Sequence, residues 1–160
     1  MIKPLVILAL LAAAGVMLYI RFTPADPQAW HVDPRTVSPP DTPNSWLVRP
    51  VGGDAVAPEF ALPAPDLARL VDRVIRAQPR TRPLAGSVED GHMTYVTRTP
   101  IMGYPDYVSV RVFATASGAS MAVFSRSRFG HSDLGTNRKR LEEWMAQIDA
   151  AVREMEAGDG

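Results

Sequence analysis

The sequence predicts an α+β fold, with a small antiparallel sheet of at least three strands packed by two helices and preceded by one N-terminal transmembrane helix. Three observations lead to this prediction. The chain opens with an apolar segment, two later segments have the periodicity of amphipathic helices, and three strand-like segments lie between those two. Because short turns join the strands, the order helix, strands, helix indicates an α+β domain.

The apolar segment runs from Pro4 to Ile20 and is flanked by Lys3 and Arg21. Its length is near the minimum of about 17 residues for a helix that spans a bilayer. A cleaved signal peptide is the alternative, because residues 12–15 are small. The apolar run continues beyond them, which favours an uncleaved anchor. The amino terminus and Lys3 outweigh the charge of Arg21, so we expect the remaining chain to lie outside the cytoplasm.

Proline density divides the rest of the chain. Most of the 15 prolines precede residue 66, and such a density opposes long helices and central strands. We therefore predict a membrane anchor or signal peptide over residues 1–22, a Pro-rich linker over residues 23–55 and an α+β domain over residues 56–157. Two tryptophans are unusual in a solvated linker and indicate that parts of it cover the domain surface. They are Trp30 and Trp46.

Two amphipathic segments predict the helices of the domain. The first runs from Asp66 to Ala77, with Pro65 before it as a first-turn proline and Pro79 after it as a stop. The second runs from about Asn137 to Ala157 and has an expected length of about 30 Å at 1.5 Å per residue. Its apolar stripe predicts a face packed on the sheet. The stripe comprises Leu141, Trp144, Met145, Ile148, Val152 and Met155.

Three segments between these helices predict strands, at Met93–Thr99, Tyr107–Thr115 and Ala119–Arg126. Turn residues at 103–106 join the first two, and Ser117-Gly118 closes a hairpin between the second and third. Antiparallel pairing follows from these short connections. The middle strand alternates, which places one set of small apolar side chains on a single face. That set is Val108, Val110, Val112 and Ala114.

Composition excludes several classes of function. Lys and Arg together number 17, as do Asp and Glu, so the net charge gives no argument for a nucleic-acid partner. The absence of cysteine from the sequence excludes disulfides, thiolate metal sites, a catalytic thiol and a lipid-modified cysteine. The three histidines have no metal-ligand spacing, and the glycines match no phosphate loop. We therefore predict no metal, no cofactor and no nucleic acid.

Residues 125–140, called the signature segment below, crowd arginine and lysine around the predicted start of the last helix. The helix dipole is already positive there, so this arrangement needs compensation. One account is internal. Asp133 pairs with an arginine, while Arg138 pairs with Glu142 and Lys139 with Glu143 at i, i+4 spacing.

The other account is an anion held by free helix amides and converging arginines. The anion-binding hypothesis assigns ligand contact to Arg126, Arg128, Asn137 and Arg138. It assigns structural support to Asp133, Gly130 and Gly135. A third interpretation makes the cluster an assembly surface for a protein partner.

The signature segment also contains the residue types of a catalytic triad, namely Ser125, Ser127, His131 and Asp133. A triad needs side chains that converge from separate elements, and the sequence has no Gly-x-Ser-x-Gly elbow here. We therefore predict no catalytic residue. A hydrolase acting on an envelope ester or phosphoester is the alternative function.

The signature segment reads Ser-Arg-Ser-Arg-x-Gly-x-x-Asp-x-Gly-x-Asn-Arg from Ser125 to Arg138. With Arg98 and Tyr104-Pro105-Asp106, it resembles the bacterial domain-of-unknown-function family 1499. The resemblance implies an envelope-associated bacterial protein and brings no established activity. We therefore expect a noncatalytic binding or support module, anchored by one pass in the bacterial inner membrane with its C-terminal domain outside the cytoplasm. Its expected ligand is an anionic lipid or glycan group.

Overall fold

The computed structural model describes residues 2–158, which form four helices and six strands. The predicted α+β class is confirmed, including the N-terminal apolar helix. The elements in chain order are α1 (Ile2–Phe22), α2 (Pro27–Trp30), β1 (Ser45–Val48), β2 (Glu59–Phe60), α3 (Ala64–Arg76), β3 (Thr81–Ser87), β4 (His92–Arg98), β5 (Pro105–Ala114), β6 (Ala119–Ser127) and α4 (Thr136–Gly158).

One antiparallel sheet contains all six strands, in the order β1-β6-β5-β4-β3. β2 pairs with the start of β6, and β1 pairs with its end, so the two short strands share one edge. The three predicted strands correspond to β4, β5 and β6. The sequence analysis missed β1, β2 and β3. β3 contains Pro83 and a bulge after it, features that are tolerated at a sheet edge and weaken the strand pattern.

Helices α3 and α4 pack on one face of the sheet, and the hydrophobic core lies between them and the strands. Both predicted helices are confirmed. Three of the four predicted small apolar residues of β5 face this core, with Val108 and Val110 fully buried and Val112 nearly so, whereas Ala114 at the end of the strand is exposed. Leu67 and Leu70 of α3 and Ile148 of α4 meet them from the helix layer.

The segment that precedes β1 covers the opposite face of the sheet. Trp30 stacks on Tyr107 with ring centroids 3.9 Å apart, and His31 stacks on His92 at 3.7 Å. Burial, then His92, then Arg111 lower the pKa of His31 below its ordinary value, and Asp90 opposes them. The segment is therefore attached to the sheet by aromatic stacking.

The predicted linker over residues 23–55 is consequently corrected. It contains β1, whose Leu47 is fully buried, so the domain begins well before residue 56. Proline opposes helices and central strands, but it is compatible with irregular segments that cover a sheet and with short edge strands. The expectation that Trp30 and Trp46 pack on the domain is confirmed, since Trp46 lies against the core.

Helix α1 is long and apolar enough from Lys3 to Phe22 to cross a membrane, a property that signal sequences share. Most of it is exposed, but its C-terminal turn packs on the domain. Ile20 is buried, and Tyr19 meets the edge of Phe129. Arg98 Nη1 lies 3.5 Å from the Ile20 carbonyl oxygen. The end of α1 therefore lies against the loops at residues 99–104 and 128–135.

Candidate anion-binding site

Asn137, at the start of α4, is the centre of the signature segment and is fully buried. Its Oδ1 accepts hydrogen bonds from Ser125 Oγ at 2.5 Å and from Arg140 Nη1 at 2.6 Å. Its Nδ2 donates towards the Asn44 carbonyl oxygen at 2.9 Å and Asp133 Oδ2 at 2.6 Å. One amide therefore joins the end of β6, the start of α4 and the chain before β1.

Asp133 caps helix α4. Its Oδ1 accepts from the Gly135 backbone N–H at 3.0 Å and its Oδ2 from the Asn137 N–H at 2.8 Å. A carboxylate at this position also offsets the positive end of the helix dipole. Gly130 and Gly135 adopt φ of 89° and 79°, a region that favours glycine. These placements agree with a structural role for the three residues.

The arginine that is neutralised internally is Arg140. Its Nη2 lies 2.6 Å from Asp106 Oδ2, and both side chains are almost fully buried. The expected pairing of Asp133 with an arginine is wrong. Asp106 precedes the signature segment by a full hairpin, and only the pairing of β5 with β6 brings it near α4. The i, i+4 pairs of Arg138 with Glu142 and Lys139 with Glu143 are present at 2.7 and 3.9 Å.

The structure places Arg126 on the face of the sheet opposite α4. Only 7% of it is exposed, and its guanidinium lies between the rings of Trp30 and Phe124. Nη2 donates to the Trp30 carbonyl oxygen at 2.5 Å. Burial lowers the pKa of Arg126 to about 10. This side chain holds the segment before β1 on the sheet.

The other residues of the anion-binding hypothesis lie apart from it. Arg128 Nη1 donates to the Pro24 carbonyl oxygen at 2.7 Å. Arg138 pairs with Glu142 and lies over the ring of Trp46. With Asn137 inside the buried network, the four predicted ligand contacts point to four different surroundings rather than to one pocket.

A different set of arginines lines a single pocket at the end of α1. This arginine pocket has a volume of about 390 Å³ and includes Arg21, Arg80, Arg82 and Arg98. The described residues that line it include no Asp or Glu. The other lining residues are Phe22, Val96, Thr99, Pro100 and Gly103.

Strand register brings these arginines together. Arg82 of β3 pairs with Val96 of β4, and Arg98 lies two residues further on the same face. Arg80 precedes β3 with φ of 58°, which turns the chain into the strand. Arg21 comes from the last turn of α1, close to Gly103.

Two of these arginines, Arg80 and Arg98, contact backbone oxygens. Arg80 Nε donates to the Arg98 carbonyl oxygen at 3.1 Å, and Arg98 Nη1 donates to that of Gly103 at 2.8 Å. Between residues 2 and 158, none of the side-chain ion pairs includes Arg21, Arg80, Arg82 or Arg98. The pocket therefore concentrates four positive charges in a chain whose net charge is zero.

Three of the four were not predicted as site residues, because residues 21, 80 and 82 show no common pattern before the sheet is built. Only Arg98 was singled out in advance, because it is one of the residues that carry the family resemblance.

Among residues 2–158, the structure provides no observation in favour of a catalytic or metal site. Within the described part of the chain, no group of three or more His, Asp or Glu side chains could hold a metal ion. Ser125 Oγ is bound to Asn137 and Arg140. His131 is exposed, and no hydrogen bond among residues 2–158 joins it to Ser125 or Ser127.

Comparison with known proteins gives one family. A family model described as "Protein of unknown function (DUF1499)" matches residues 23–148, which confirms the resemblance drawn from the signature segment. The match begins at residue 23, so it includes the stretch predicted as a linker. No curated protein matches the chain.

Proposed function

The chain belongs to the DUF1499 family of proteins of unknown function, and from this premise we propose that it is a membrane-anchored, noncatalytic module that binds the phosphate headgroup of an anionic lipid in its arginine pocket. The α1 helix is the single-pass anchor in the bacterial inner membrane, and the domain lies on the outer side. The observation that carries the proposal is the convergence of Arg21, Arg80, Arg82 and Arg98 without a carboxylate.

The charge of the pocket supports an anionic ligand. Like charges that share a pocket repel each other, and repulsion is relieved when an anion enters. Guanidinium groups have planar donor forks that match phosphate oxygens. Arg80 and Arg98 are also held by backbone carbonyls, which leaves less side-chain freedom to lose on binding.

The position of the pocket supports a lipid as the source of that anion. Arg21 is in the last turn of α1 and Phe22 ends it, and both line the pocket. The end of a spanning helix lies at headgroup level, where basic residues meet lipid phosphates. Tyr19, Phe22 and Phe129 near this end are aromatic residues of the type that favours the membrane interface.

The test compares lipids retained by the full-length chain in native mass spectrometry, using phosphatidylglycerol and phosphatidylcholine mixed in one detergent preparation. A basic residue near an anionic surface contributes about 1 kcal/mol. The double substitution Arg80→Gln and Arg82→Gln should therefore lower the preference for phosphatidylglycerol about 30-fold, since about 1.4 kcal/mol corresponds to tenfold.

The matched control is Arg69→Gln with Arg73→Gln, two exposed arginines of α3 that remove the same charge away from the pocket. This control should leave the preference unchanged. A preference that survives the pocket substitutions, or that falls equally in the control, would refute the proposal.

A further inference from the structure

A second cavity, called the apolar cavity, lies on the other side of the α1 terminus. Its volume is about 540 Å³, within the range of about 300 to 1,000 Å³ typical of ligand sites. Ile20, Tyr104, Phe129 and Leu134 contribute its apolar walls. Thr99 lines both this cavity and the arginine pocket, so the two are adjacent.

The polar groups at the floor of the apolar cavity are already paired. Asp106 is bound to Arg140, Asp133 Oδ2 accepts from Asn137 Nδ2, and Ser127 Oγ lies 3.0 Å from the same nitrogen. Their charges and hydrogen-bonding capacity are directed into the buried network. To an apolar guest, the cavity therefore offers a matching shape and apolar surface rather than polar contacts.

The loops around the apolar cavity expose aliphatic side chains, one of which, Leu134, lines the cavity. Leu134 is 96% exposed and has φ of 54°, a conformation that disfavours leucine. Ile101, in the loop that supplies Thr99 and Tyr104, is also largely exposed. Neither side chain packs within the described chain, and both lie on the loops that meet the end of α1. An apolar partner at this level would bury them.

We propose that the apolar cavity holds one acyl chain of the lipid whose headgroup occupies the arginine pocket, an inference that rests on the proposed function. The wall formed by Ile20 belongs to the last turn of α1, which is where acyl chains begin below the headgroups of a bilayer. Headgroup and chain of a single lipid molecule can thus contact the two adjacent sites at once. The domain binds a whole amphiphile rather than a free phosphate.

The experiment uses the full-length chain in nanodiscs whose phosphatidylglycerol has an alkyl diazirine in one acyl chain. After irradiation, mass spectrometry assigns the crosslinked residues. We expect crosslinks at the floor of the cavity, on Ser127, as well as on Tyr104 and Phe129 of its walls. Crosslinks confined to α1, or to Leu134 and Ile101 at the rim, would overturn the proposal, because a chain lying across the loops gives the same rim products.

A matched pair of variants tests the apolar rim. Leu134→Asn removes the apolar side chain and suits the left-handed backbone, so it should lower the floor crosslinks at least about threefold. This follows if the Leu134 side chain contributes about 0.7 kcal/mol to the binding of the acyl chain, which is half of the about 1.4 kcal/mol of a tenfold change. Val51→Asn, at a loop residue that is 84% exposed, should leave them unchanged. Equal yields of floor crosslinks from the two variants would contradict the binding of an acyl chain in the cavity.

A parallel sample with diazirine-labelled phosphatidylcholine separates this inference from the proposed function. Floor crosslinks at equal yield from both lipids would keep a chain in the cavity and overturn the headgroup assignment. Retained preference for phosphatidylglycerol with no floor crosslinks would overturn the cavity and keep the headgroup site.

Discussion

Substituting Asn137 by Ala should destabilise the domain more than any exposed substitution on the same helix. The side chain is fully buried and can make four hydrogen bonds, two as acceptor and two as donor, to the partners of its network. A neutral bond contributes about 1 kcal/mol and one to a charged group about 1.5 to 3 kcal/mol. Arg140 and Asp133 are the charged partners. Simple addition gives about 5 to 8 kcal/mol.

Partial relaxation around the substituted residue lowers that sum, and we expect the free energy of unfolding to fall by about 4 kcal/mol. A typical domain is stabilised by about 5 to 15 kcal/mol, so this is a large part of the total. The assay is urea unfolding of the full-length chain in detergent, followed by tryptophan fluorescence. Gln147→Ala is the control, because Gln147 is an exposed amide of α4 that accepts one hydrogen bond from Gln78. A loss below about 1 kcal/mol for Asn137→Ala would refute the network's structural role.

Three further predictions concern other parts of the domain. Arg126→Met should change stability by less than about 1 kcal/mol, because a buried cation without a carboxylate is costly and methionine fills its slot between two rings; thermal unfolding measures this. Acidification below pH 6.5 should loosen residues 27–37, because the pKa of His31 is lowered on folding and the unfolded chain binds the proton more readily. Hydrogen exchange measures the effect, which His131→Gln should leave unchanged and His31→Gln should abolish. Leu134→Asn should raise the melting temperature slightly, since asparagine tolerates φ of 54° better than leucine; a lower melting temperature would contradict this.

Local pattern was sufficient for the regular part of the fold. The apolar periodicity of α3 and α4 and the alternation of β5 predicted those elements because each encodes its own buried face. β1 was missed because a four-residue strand between Pro43 and Pro50 is too short to show a period. β3 was missed because an edge strand is half exposed and tolerates Pro83.

The site was less predictable because it depends on register and on long-range packing. The signature segment suggested either internal charge pairing or a bound anion, and in the structure the partner that neutralises Arg140 is Asp106 on a neighbouring strand. Charge crowding in sequence therefore identified a structural network. The arginines that do share a pocket come from α1, β3 and β4, and no local pattern connects them.

The attachment of residues 27–37 to the sheet fixes how far the domain can move from the end of α1. A flexible chain over residues 23–55 would have an average span of about 30 Å and let the domain sample a large volume. Trp30 stacks on Tyr107, and Arg126 donates a hydrogen bond to the Trp30 carbonyl oxygen. These two contacts shorten the free length of the connection. Under the proposed function, the arginine pocket would then meet headgroups at the effective concentration of the bilayer surface, so even a weak intrinsic affinity would give nearly full occupancy. Which lipid such a tethered domain would bind then depends on the lipid composition of the surrounding leaflet more than on the total amount of lipid.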